Sequence, residues 1–122
     1  MKNQNNPIKV INQTAVISSS SLALLLELDS EAMKLSLADN ENSLKQYGNI
    51  IIDKSNNSYD VYLNERQTYS FLTNFNEIIK INYIKRKLLS DFFYVQTKLL
   101  KKKQRKEIKK HIKVLTSLND GV

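Results

Sequence analysis

Nine Lys and Arg residues crowd into positions 98–113: Lys98, Lys101, Lys102, Lys103, Arg105, Lys106, Lys109, Lys110 and Lys113, against one carboxylate, Glu107. Ammonium groups at this density attract phosphate, and a Lys-dominated set suits backbone phosphate contact better than base reading. A solvated helix face that keeps the chain soluble is the plain alternative. The distribution of charge favours the first. Residues 1–79 carry six Lys/Arg and nine Asp/Glu, a net of −3, whereas residues 80–122 carry thirteen and three, a net of +10. The formal charge of +7 is therefore a local feature, and local basic excess points to a polyanionic partner.

Other chemistry-bearing residues exclude more than they offer. The 122 residues contain no Cys, so a disulfide framework, a thiolate zinc site and a thiol nucleophile are all ruled out. The single His, His111, lies in the Lys-rich stretch and cannot by itself build a metal site or a catalytic triad. Gly48 and Gly121 are the only glycines, too few for a phosphate-cradling loop. The serine run Ser18–Ser21 reads as helix-capping material, and Asp29 with Glu31 as helix-start residues rather than an acid/base pair. No cofactor is expected, and no enzyme. The dense apolar stretches are far shorter than the ~20 residues of a membrane span, and the polar start resembles no secretory signal. The expectation is a cytoplasmic protein without membrane attachment.

The elements around the basic run follow from periodicity. With 41% hydrophobic residues, the chain is long enough for one core. Residues 1–13 are Asn/Gln-rich and read as a mobile polar leader. Thr14-Ala15-Val16-Ile17 is a short β-branched strand candidate, followed by an apolar helix over Leu22–Leu28. A second helix is expected from Ser30 to Gln46, with Met33, Leu37 and Leu44 on its inner side. Two short helices at a tight corner form a helix-turn-helix layout. Asn49–Asp53 and Tyr59–Leu63 flank a polar Lys54–Ser58 turn and read as a β-hairpin, the "wing" of a winged helix. Asn64 and Gln67 have the spacing of a capping box. The helix that follows buries Tyr69, Phe71, Leu72 and Phe75, and a last helix runs from about Glu77 to at least Leu100. The expected class is α+β, mainly α: a winged helix-turn-helix over residues 14–100 with a small β-hairpin and a long C-terminal helix, then a basic helical tail over 101–122.

Tyr62-Leu63-Asn64-Glu65-Arg66-Gln67-Thr68-Tyr69-Ser70-Phe71-Leu72-Thr73 resembles the "YLLNEPQATFLLTL" block of the Rha family of phage regulatory proteins. Ile84-Lys85-Arg86-Lys87-Leu88-Leu89-Ser90-Asp91-Phe92-Phe93-Tyr94-Val95 is similar to the family pattern "VVxFKxxLVxxFFxM", and Val16–Ala23 to its "VTSREIAE" opening. The resemblance covers about residues 14–100 and implies a winged-helix-like, prophage-type regulator that binds DNA or acts on a host regulatory circuit. The family's basic "GKxHxNVLRDI" segment is replaced here by Leu28–Asp39, which holds three carboxylates and neither His nor Arg.

If the second helix entered a major groove, Lys34 and Ser36 would be its polar readers, with Asp39 and Glu41 facing phosphate unfavourably. Lys54 and Asn56 at the hairpin tip are further nucleic-acid candidates, although a solvated turn explains them as well. The expected function is a phage-type regulatory protein that binds DNA largely through its basic helix. The alternative is an antirepressor-like module that binds a host or phage regulator. A homodimer through the long helix is expected from Ile81, Leu88, Val95 and Leu99, or from the Ile108, Ile112 and Leu115 stripe.

Overall fold

A computed structural model describes residues 6–54 and 60–120, with side chains to Lys113. The elements are β1 (Lys9–Ile11), β2 (Thr14–Ser18), α1 (Ser19–Leu26), α2 (Ser30–Asp39), α3 (Glu41–Lys45), β3 (Ile51–Asp53), β4 (Asp60–Asn64), α4 (Glu65–Leu72) and α5 (Ile78–Asp120). The class is α+β, mainly helical, with one antiparallel sheet in the order β1-β2-β4-β3 and a long C-terminal helix. Ile51, Ile52 and Asp53 pair with Tyr62, Val61 and Asp60, which forms the expected hairpin. Val16, Ile17 and Ser18 pair with Asn64, Leu63 and Tyr62, so β4 joins the hairpin to the first half of the fold.

The polar leader ends earlier than expected. Lys9-Val10-Ile11 forms β1 and pairs with Val16, Ala15 and Thr14. Asn12 and Gln13 make the turn, both at positive φ (52° and 62°), as a two-residue hairpin turn that matches strand twist requires. Ile8 is buried, and Asn6 Nδ2 donates to the Asp91 carbonyl at 3.3 Å, tying this segment to α5. The β-branched Val10 and Ile11 decide the local structure over the surrounding Asn and Gln.

The second helix is also divided. Asn40 leaves helical geometry (φ −110°, ψ 11°), and its Nδ2 donates to the Ser36 carbonyl at 2.8 Å. Short amide side chains compete with the helix ladder in this way, so α2 stops at Asp39 and α3 restarts at Glu41.

Caps and buried side chains fix the remainder. Ser18 Oγ accepts from Ser21 N at 3.1 Å, and Asp29 Oδ1 accepts from Ala32 N at 2.8 Å. Asn64 and Gln67 form the reciprocal capping box of α4 at 2.8 and 2.9 Å. Gln67 Nε2 reaches further, to the carbonyls of Leu44 at 3.1 Å and Gly48 at 2.9 Å, and thereby fastens the end of α3 to α4. Gly48 has φ 138°, and a Cβ there would lie 2.9 Å from Asn64 Nδ2. The core gathers Ile17, Leu22, Leu44, Leu63, Phe71 and Leu72 with Ile81, Ile84, Leu88 and Phe92 of α5. Each such side chain contributes roughly 1.5–3 kcal/mol by leaving water.

Candidate nucleic-acid interface

The first half of α5 is held by the core, and the second half is not. Ile81, Ile84, Leu88 and Phe92 recur on one side and are buried, and Val95 is half-buried against them. From Lys101 to Lys113 every described side chain is exposed. At ~1.5 Å per residue the 43-residue helix is about 64 Å long.

Spacing sorts the exposed half into two faces. Steps of four, four, three and four residues link Lys98, Lys102, Lys106, Lys109 and Lys113 into one line. Lys103, Arg105 and Lys110 lie beside it, and Lys101 at its margin. Leu100, Gln104, Ile108 and His111 each follow a member of that line by two positions, about 200° around the helix. Eight of the nine basic residues therefore share one side, while Leu100 (56% exposed) and Ile108 (58% exposed) lie on the other, with Lys101 seven positions before Ile108 and so close to its row. Among the described residues, no carboxylate is within ion-pair distance of these nine cations. Lys98 Nζ instead sits 4.5 Å from the Tyr94 ring centre, a cation–π contact that anchors the start of the basic line. Cations without a carboxylate partner along an exposed helix face make a surface that attracts polyanions, an attraction that salt screens.

The other candidate readers are placed differently. Lys34 lies exposed on α2, 3.9 Å from Glu31 Oε1, and Ser36 is half-buried two residues later on a different side of the helix. The structure does not bring Lys34 and Ser36 onto one reading face. Asp39 and Glu41 are exposed beside them. Lys54 is exposed at the end of β3, whereas Asn56 lies outside the described residues.

Two of the expected dimer residues need correction. Ile81 and Leu88 are 5% and 0% exposed within the chain's own core, and Val95 packs against it. Leu99 is half-buried on the same side. The sheet and α4 already cover this seam, because the hydrophobic pattern that marks a partner-facing stripe equally marks a core-facing one. Ile108 and Ile112 are exposed, and the side chain of Leu115 lies outside the description.

Two features escaped the sequence reading. Gln67 is 1% exposed and joins three elements, although only its capping role shows in the spacing. A cavity of about 750 Å³ lies between α2–α3 and the hairpin, lined by Leu37, Ala38, Leu44, Ile50, Ile52 and Val61, with Lys34 and Lys45 among its polar neighbours. It arises from long-range packing that periodicity does not encode.

No helix among the described residues is long and apolar enough to cross a membrane. Comparison with family models, curated proteins and solved structures finds no match to this chain.

Proposed function

We propose that this chain is a phage-type regulatory protein, similar to the Rha family, that binds DNA through phosphate contacts of the basic face of α5. The observation that carries the reading is the placement of eight of nine clustered cations on one exposed helical side, with no carboxylate paired to them among the described residues. A winged-helix arrangement is supported by the order β2-α1-α2-α3-β3-β4, with β2 and the β3–β4 hairpin in one sheet. In that arrangement α2 occupies the recognition position. Its acidic surface makes it a poor reader, so affinity comes from α5 and depends little on base sequence. Such a protein would work in the cytoplasm, where DNA is accessible, without membrane attachment or cofactor.

A second reading is an antirepressor-like module that binds a regulatory protein. It is favoured by the exposed Asp39 and Glu41 and by the apolar cavity beside α2. Fluorescence anisotropy with random duplex DNA separates the two. Micromolar binding by the full chain at low salt, lost on replacing Lys102, Lys106 and Lys109 with Gln, supports the DNA reading. Absence of binding at low salt transfers the proposal to the protein-interaction reading.

A further inference from the structure

The inner face of the β3–β4 hairpin is only partly covered. Ile52 pairs with Val61 across the two strands, so their side chains share one face, and Ile50 reaches that face two residues earlier. Val61 is 6% exposed, but Ile52 is 46% exposed. The helices that face them explain the difference. Of the five residues of α3 only Leu44 is buried, and α2 ends just after Ala38, whose single methyl group fills little space. What remains is the cavity of about 750 Å³. Protein interiors hold few voids larger than a water molecule, whereas sites for small molecules measure about 300–1,000 Å³ and are apolar with a few polar groups. Leu37, Leu44 and Val61 form a buried floor, and Ala38 and Ile52 are exposed at the rim.

We propose that this cavity binds a small amphiphilic monocarboxylate, an apolar chain or ring system that carries one carboxylate. The apolar floor selects the body of the ligand. The charged groups of the lining select its head, because Lys34, Glu41 and Lys45 together leave one positive charge in excess. Lys45 Nζ holds Glu41 Oε2 at 2.8 Å, so the carboxylate of the lining is already matched by an ammonium group. Glu31, 3.9 Å from Lys34 Nζ, is not part of the lining. A carboxylate head meets Lys34 at the exposed rim while its body displaces water from the floor. A cationic head would face the same ammonium group and be repelled. A flat protein surface would reach Ala38 and Ile52 but not the recessed floor. The inference uses no residue of α5 and does not rest on the DNA reading.

The experiment is isothermal titration calorimetry of the full chain with decanoate and 1-naphthaleneacetate, each beside its counterpart without negative charge, decylammonium and 1-naphthaleneacetamide. The expected result is saturable one-to-one binding of at least one acid, about fivefold or more tighter than its counterpart. The tighter acid tells whether the body is a chain or a ring system. Lys34→Gln should weaken acid binding by about fivefold and leave the counterparts unchanged. Ala38→Trp, at an exposed position and checked for folding by circular dichroism, fills the cavity and should abolish binding, while Leu100→Gln on α5 should not alter it. In the unmodified chain the methyl resonances of Ile50 and Ile52 should shift on titration, and those of Ile108 and Ile112 should stay in place. Saturable binding of neither acid would overturn the site, as would shifts confined to Ile108 and Ile112 or binding by a folded Ala38→Trp variant. Equal affinity for an acid and its counterpart would overturn the ligand class.

Discussion

Replacing Gln67 with Met keeps the side-chain length and removes three hydrogen bonds at once. Oε1 accepts from Asn64 N at 2.9 Å, while Nε2 donates to Leu44 O at 3.1 Å and Gly48 O at 2.9 Å. The bond to Leu44 is buried, so its orphaned carbonyl costs about 2 kcal/mol. The other two are partly buried and cost about 1 kcal/mol each, near the net value of an ordinary hydrogen bond. The expected loss is about 3–4 kcal/mol, and the melting midpoint should fall by about 15 °C or more for a domain of this size. Urea unfolding followed by circular dichroism measures it, with Gln96→Met as control. Gln96 is exposed and makes one bond, to Glu65 at 2.9 Å, so its loss should stay below about 0.5 kcal/mol. A loss under about 1 kcal/mol for Gln67→Met, at unchanged denaturant slope, would refute the assignment of Gln67 as the tie between α3 and α4.

Two further outcomes follow from single side chains. Glu27 closes α1 in the left-handed region at φ 60°, where glycine carries no Cβ penalty, and its 3.5 Å pair with Lys80 is too exposed to matter much. Glu27→Gly should therefore stabilise by about 0.5 kcal/mol in urea titration despite the greater freedom of the unfolded chain, and a destabilised variant would contradict the strain argument. Burial, and then the hydrogen bond and charge of Glu65, hold the Tyr69 phenol well above its ordinary pKa of 10.0. The unfolded chain thus releases this proton before the folded one does, and the stability contributed by Tyr69 is full below pH 10 and lost as pH rises beyond it. The stability difference between the wild type and Tyr69→Phe should narrow from pH 9 to 11, and a widening difference would reverse the assigned sign.

Local signals were legible wherever one residue type decides the structure. The N-caps at Ser18 and Asp29, the Asn64/Gln67 box and the hairpin strands follow from short-range chemistry that sequence spacing records. β1 was hidden because Val10 and Ile11 form a three-residue strand only by pairing with β2. The break at Asn40 depends on one amide reaching the Ser36 carbonyl, which a periodicity of Met33, Leu37 and Leu44 runs straight through. The basic cluster was visible as composition, but the gathering of eight of its nine members on one side of α5 needed the helix to continue through that stretch. The assignment of Ile81 and Leu88 to a partner rather than the core shows what periodicity leaves open, since it marks an apolar face without naming its cover.

The most direct test of the central claim is the salt dependence of duplex binding by the full chain. Contacts from four to six members of the basic face give a slope of log affinity against log salt of about −4 to −5, at ~0.9 per phosphate contact. Replacing Lys102, Lys106 and Lys109 together with Gln should reduce its magnitude by about 3, whereas Lys34→Gln should change it by less than about 1. A slope indifferent to the three α5 substitutions but abolished by Lys34→Gln would place the DNA-binding surface on α2 and contradict the account.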